Sequence, residues 1–480
     1  MIKRWFSIGA NTDVPPIVTS SIPLFGPLVR FGKDPVQFLQ SCQAQFGDTF
    51  TLNFLLYKMT FLLNEPDVQS FFRAKEEDLD FKSAVNQLIS GVLGPGTYVN
   101  DPAVTERDYV LIRKGFLRDS SVEKFLPQIL DEGRRHFERW AAAGEFDLFP
   151  AASRLVSSIN VRCIFGDAFM QEHGSELMQL HYEIERNGTS PLAVAFPSVP
   201  SPAVRKAQKA RTRMRVLVEQ LVTQRRQISA QEREQQTDYL QSWVDHRDSN
   251  GAPISASYLC THIVGMLFAA HTNTAGTWAW TLAQLLSRPE LYQQVLDEQD
   301  RSVIGDALTC QSLRQLDVLD RCMKESMRMH SPMMIVRKAA RPVAFGKHTI
   351  PPGHLVCVSP LLMHLNPSYF SSPNRYLPER WTDEASRRDL MARNLYMQFG
   401  YGKHRCMGES FANVVLKTCW SQLLRDYSLE LVGREVPPPD WRKAIGVPFA
   451  SEQTLIRIKR RPRVAMAAAP EHTVGSTEQI

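Results

Sequence analysis

The sequence predicts a mainly α-helical protein with a small β-rich part. Three observations carry that expectation. Long stretches repeat apolar residues at helical spacing, the longest covering 255–286. Strand-like runs are short and confined to 49–63 and 349–360. No internal repeat or low-complexity domain divides the 480 residues.

Composition narrows the function classes. Lys and Arg total 56 against 50 Asp and Glu, a net charge of +6 that gives no reason to expect nucleic acid. Hydrophobic residues at 43% and charged residues at 22% are ordinary for a globular enzyme. The eight cysteines are scattered without a CxxC pair, which fits a reducing compartment rather than disulfides or zinc. No run of 18 apolar residues occurs, so no transmembrane span is expected. Residues 1–14 form an N-terminal extension, and Lys3, Arg4, Trp5 and Phe6 within it suit peripheral contact with a membrane surface. The expected location is cytoplasmic, or peripheral on the cytoplasmic face of a membrane, and the expected state monomeric.

Prolines 15, 16, 23 and 27 hold the chain extended as it enters the fold. A helix follows over 34–46, with Asp34 as N-cap and Pro35 at the first helical position. Residues 49–63 read as a hairpin. Residues 86–101 hold Gly91, Gly94, Pro95 and Gly96 and read as an irregular surface segment. Helical patterns follow over 106–117, 125–137 and 155–165. A proline-rich loop at 196–202 leads into a basic helix over 205–226, most simply a solvated face. The tail, 462–480, reads as disordered.

The helix over 255–286 is apolar on nearly all sides, spans roughly 48 Å, and should run buried through the fold. Phe268, Ala269 and Ala270 lead into the polar pair His271-Thr272. The small residues make room for a flat ligand. Taken alone, Thr272 would bond back to the carbonyl four residues earlier.

Glu325 and Arg328 stand three apart on one helix face. Pro378-Glu379-Arg380-Trp381 follows, then Phe399-Gly400-Tyr401-Gly402-Lys403-His404-Arg405-Cys406-Met407-Gly408. Glycines 400, 402 and 408 let backbone approach something bulky and permit φ > 0. Cys406 lies just before a helix, where N–H groups and the dipole favour a thiolate suited to haem iron. A lone cysteine in such a turn is ordinarily just a small core residue.

The spacing Phe-x-x-Gly-x-x-x-Cys-x-Gly resembles the haem-binding signature of the cytochromes P-450. ExxR, then the PERW element, then the cysteine loop follow the order of that family. His271-Thr272, His404 and the passage 350–360 resemble in particular its sterol 14-alpha-demethylases, as does Val92-Leu93-Gly94-Pro95-Gly96.

The resemblance implies one cytochrome P-450 haem-thiolate domain over 15–461, built in the mainly α fold with a small β-rich part near the N-terminus. It implies haem b (iron protoporphyrin IX) on a Cys406 thiolate, O2, and electrons from NADPH through a cytochrome P-450 reductase or a ferredoxin system. Phe399, Gly402, His404 and Gly408 would frame the haem, with Arg337 and Arg113 or Lys114 on its propionates. Thr272 would hold water and bond dioxygen, while His271 relays protons. Glu325, Arg328 and Arg380 would form a buried charge triad. Val85, Asn86, Leu93, Phe268 and Ala269 are the candidate contacts of a hydrophobic substrate. Sterol 14-alpha-demethylases carry a tyrosine where this chain has Val85 or Asn86, and the loop bearing Arg337 is one residue shorter. Sterol demethylation, oxidation of a terpenoid or other secondary metabolite, a peroxide isomerase and a haem-binding sensor all stay open.

Overall fold

Apolar strands from opposite ends of the chain make the largest sheet. The computed structural model describes residues 13–18, 26–54, 57–93, 122–189, 201–247, 251–302, 308–433, 435–441 and 446–461. After β1 (Ile17–Val18) and α1 (Gly26–Lys33), Asp34 accepts a hydrogen bond from the Gln37 N–H and caps α2 (Pro35–Phe46). β2 (Thr49–Phe54) and β3 (Tyr57–Leu62) pair antiparallel, from Thr49 opposite Leu62 to Phe54 opposite Tyr57. With β4 (Leu79–Asp80), β6 (Ile335–Ala339) and β9 (Leu355–Val358) they form a six-stranded sheet ordered β1-β2-β3-β9-β6-β4.

The strands expected around the turn at 351–353 do not pair with each other. β8 (His348–Ile350) pairs with β7 (Val343–Phe345), whereas β9 pairs with β3 and β6. All four residues of β9 are buried, and such a run gains most with a neighbour on each edge. Gly353, at φ +84, turns the chain from the small sheet into the large one. The third sheet places β11 (Leu455–Arg460) between β10 (Tyr427–Leu431) and β5 (Glu145–Asp147).

The helical body is longer than the apolar pattern suggests. After α3 (Glu65–Arg73), residues read as an irregular segment from 86 onward belong in part to α4 (Phe81–Leu93). Leu88, Ile89 and Val92 recur at helical spacing there, and Gly91 alone does not break the helix. The chain continues through α5 (Leu126–Ala143), α6 (Leu148–Phe165), α7 (Asp167–Gly188) and α8 (Pro202–Gln227). α9 (Ala256–Leu286) is the longest helix described, and Ser255 caps it by accepting from the Tyr258 N–H. α10 (Pro289–Ser302), α11 (Asp317–Met329), α12 (Glu384–Ala392) and α13 (Glu409–Asp426) complete the helices of eight residues or more among the described residues. α9 packs against α6, α7, α8, α11 and α13, so the main apolar core gathers around it. A second apolar cluster surrounds the large sheet.

Several expected features lie outside the described residues: the helix over 106–117 with Arg113 and Lys114, the loop before α8, the N-terminal extension and the C-terminal tail. No described helix is long and apolar enough to cross a membrane.

Candidate functional site

Cys406 sits on a turn held from both ends. Its N–H donates to the Phe399 carbonyl at 2.7 Å, closing the loop around the one-turn helix Gly402–His404. Gly400 and Gly402 adopt φ of +66 and +69, a region costly for residues with a Cβ. Gly402 also lies against the Phe72 carbonyl, 2.9 Å from where a Cβ would stand. Gly408 differs from expectation. It is the N-cap of α13 with φ −88, so no positive φ is required there.

The eight cysteines carry no disulfide; seven are buried and Cys406 is exposed. Burial nevertheless pushes the Cys406 thiol above its ordinary value. The Gly408 N–H and Arg405 oppose that rise, and Glu409 adds to it. The protein alone therefore favours a thiol, contrary to the thiolate expected from the helix N-terminus. Cys406 stands before the N-cap, beyond the first turn in which the dipole is felt. A coordinated metal ion would supply the missing drive, because it deprotonates a thiol outright.

Behind this loop, Glu325 gathers five hydrogen bonds from four residues. Arg328 gives it Nε at 3.0 Å and Nη2 at 2.8 Å, and Arg380 gives Nε at 3.1 Å. The Trp381 indole N–H and the Leu377 N–H add bonds of 3.0 Å each. Glu325 and Arg328 are fully buried. Arg328 Nη1 also reaches the His364 carbonyl at 2.8 Å, and the His364 ring accepts from the Met397 N–H at 3.0 Å. The charge cluster is thus tied to the strand of chain that enters the cysteine loop.

The central helix presents an open strip on an otherwise buried rod. Ala269 and Asn273, one turn apart, are exposed, while Phe268, Ala270, Thr272 and Thr274 are partly so. Thr272 Oγ1 has no hydrogen-bond partner among the described residues, so the backward bond to the helix carbonyl is not made. Asn273 accepts from the Val447 N–H at 3.0 Å and ties the helix to the segment before β11.

His271 turns the other way. It is buried, with Nδ1 2.8 Å from Glu185 Oε2 and Nε2 2.9 Å from Ser153 Oγ. Burial raises the Glu185 carboxyl, but the His271 bond and the fields of His271 and His181 outweigh it and leave the group below its usual range. His181, one turn before Glu185, is pulled down to about 4 by burial. Glu185, His181, Ser153, Trp381 and His364 were not singled out from the sequence. The i,i+4 spacing of His181 and Glu185 was a signal, but nothing local says that α7 faces His271.

The other candidates fall as follows. His404 Nε2 lies 2.7 Å from Glu76 Oε2, and its ring stacks on Phe81 at 4.2 Å. Arg337 is buried and donates to the Phe71 carbonyl at 2.9 Å, with its charge acting on Glu76. Val85 packs against the main core and Asn86 is half-buried beside it on α4. Leu93 ends that helix; its side chain lies outside the described residues. The donor set fits haem. Cys406, an exposed residue, ends a glycine turn, α9 offers a strip of mostly small residues, and α9 packs directly on α13, the helix that follows the cysteine.

The sequence model of the family described as Cytochrome P450 matches residues 15–456. The chain is 30% identical over 458 residues to a sterol 14-demethylase of Arabidopsis thaliana, covering 93% of this chain and 92% of that protein. It is 30% identical over 464 residues to the human lanosterol 14-alpha demethylase, covering 95% and 88%. It is 29% identical to an obtusifoliol 14-alpha demethylase of Triticum aestivum over 93% of this chain and 98% of that one. Among solved structures, the retinoic acid-bound cyanobacterial CYP120A1 superposes with a TM-score of 0.81 at 20% identity, over 94% of this chain and all of that one.

Proposed function

The chain belongs to the cytochrome P450 family and is a monooxygenase, and from that premise we propose that it oxidises a sterol at the 14-methyl group. The observation that carries the reading is an exposed Cys406 on its glycine turn together with a Thr272 hydroxyl, unpartnered among the described residues, on the exposed strip of α9. The likeness to three 14-demethylases over nearly their whole lengths supports the substrate class.

Haem held on the Cys406 thiolate would supply one-electron chemistry and O2 activation, with the thiolate as its electron-donating ligand. Electrons come one at a time from NADPH through a reductase or ferredoxin partner. Thr272 keeps its hydroxyl free to hold a water or donate a proton. His271 and Glu185 keep a proton between Nδ1 and Oε2, and Ser153 fixes the ring by holding Nε2. Ala269 leaves space beside Thr272, and Phe268 and Val85 give the substrate apolar contact. Three successive oxidations would release the methyl group as formate. The enzyme would work at the cytoplasmic face of a membrane, where such substrates reside.

One observation favours a second reading. Val85 packs against the core and Asn86 is half-buried beside it, and the sterol enzymes carry a tyrosine at one of these two positions, which suits a different hydrophobic substrate such as a terpenoid or other secondary metabolite. The test is optical: the purified haem protein is titrated with a 14-methyl sterol while the Soret band is followed. A shift to high spin supports the sterol. No shift, with a normal thiolate-type CO spectrum, moves the substrate to the second class and leaves the chemistry standing.

A further inference from the structure

Beneath the surface of α7, three metal-ligating side chains converge. His181 and Glu185 stand one helical turn apart, and His271 faces them from α9. One ligand atom from each lies within 4.8 Å of the others. Glu185 Oε2 is 2.8 Å from His271 Nδ1, Glu185 Oε1 is 3.7 Å from His181 Nε2, and the two imidazole rings are 5.2 Å apart.

Two of these atoms have no hydrogen bond. His181 Nε2 and Glu185 Oε1 are both shielded from solvent and unpartnered among the described residues, although His181 is 97% buried (3% exposed). Buried polar atoms ordinarily find partners, and a cation seated between this imidazole nitrogen and this carboxylate oxygen would satisfy both. Two imidazoles and one carboxylate form the three-ligand set that zinc takes, with bonds of about 2.0–2.2 Å and a fourth position left to water. Those bonds bring ligand atoms to about 3.4 Å apart, so the 2.8 Å pair must open and the wider pairs must close, through side-chain rotation. The Glu185 side chain, 13% exposed, leaves an entry path from solvent.

We propose that His181, Glu185 and His271 form a zinc-class cation site. Occupation replaces the Glu185–His271 hydrogen bond with two metal bonds; the Nδ1 proton leaves and the ring keeps its one proton on Nε2, where Ser153 Oγ and the Ser153 carbonyl accept it. It takes the His271 Nδ1 lone pair and the Glu185 carboxylate out of proton exchange, so zinc slows turnover. Binding stands on the geometry; the effect on turnover rests on the role given to His271 above.

The haem-loaded protein, stripped with a chelator, is titrated with Zn2+ by calorimetry. One equivalent should bind at about 10 μM or tighter. His181→Gln should weaken binding about 10-fold or more, whereas His181→Cys, which restores a ligand, should bind again. A thiolate-type CO spectrum in both variants checks the fold. Absence of binding below about 100 μM, or equal binding in His181→Gln, overturns the site. Under saturating Zn2+, product formation should fall in the parent and recover with chelator, and should be insensitive to zinc in His181→Gln. Zinc that binds through His181 without slowing turnover upholds the site and overturns the role of His271.

Discussion

At the scale of single residues, three side chains divide the chemistry by what already holds them. Cys406 is open, Thr272 Oγ1 is unpartnered, and His271 is engaged on both ring nitrogens. Cys406→Ser removes the sulfur and should abolish the thiolate-type band of the reduced CO complex; an unchanged band refutes the ligand assignment. Thr272→Ala loses no hydrogen bond to a described residue, so folding and haem content should stay near those of the parent. Its product per NADPH should fall several-fold, with peroxide rising, because a proton donor is gone. Equal coupling in that variant would end the role given to Thr272.

At the scale of elements, the cysteine loop is positioned from behind. Glu325 receives Arg328, Arg380, Trp381 and Leu377, and Arg328 continues through His364 to Met397, two residues before Phe399. Glu325→Ala would strand the fully buried Arg328 guanidinium, and leave the partly buried Arg380 without its carboxylate, at a cost of about 3–5 kcal/mol. Little haem-loaded protein should result, and normal loading measured by the Soret-to-protein absorbance ratio would refute the scaffold argument. Gly402→Ala tests the turn itself. A Cβ at φ +69 and 2.9 Å from the Phe72 carbonyl costs about 1–3 kcal/mol, read as a fall in Tm. A parallel Gly408→Ala should be far milder, since nothing lies within 4 Å of its Cβ position and its φ is −88.

At the scale of the whole molecule, the buried histidines set the response to acid. Burial lowers His136, His330 and His364 to about 3, with nearby arginines adding to it, and lowers His181 and His262 to about 4. These folded values lie below that of an unfolded histidine. The unfolded chain therefore binds more protons between pH 6.5 and about 4, and stability falls as pH drops through that window. Each such histidine contributes up to about 1.4 kcal/mol per pH unit there, and the contribution is fully present above pH 6.5. The urea midpoint, followed by far-UV circular dichroism, should be flat from pH 7 to 8 and should drop clearly by pH 5. A midpoint unchanged at pH 5 would contradict the neutral, buried state of these groups.

Local chemistry made much of this legible in the sequence. Asp34-Pro35 starts a helix because a carboxylate caps free N–H groups and proline lacks the one not needed. The run before Leu286 is apolar all round because it lies in the centre. The Phe-x-x-Gly-x-x-x-Cys spacing marks the cysteine turn because two of its glycines adopt φ that other residues resist. Three matters were decided only by tertiary structure. Leu355–Val358 sits between β3 and β6 because a fully buried run needs partners on both edges, and those lie almost 300 residues away on one side. The Cys406 thiol is raised because surrounding protein desolvates it, a sum over distant atoms that no motif contains. Glu185 and His181 meet His271 because α7 packs on α9, and pairings between helices distant in sequence are set by the whole core rather than by either helix alone.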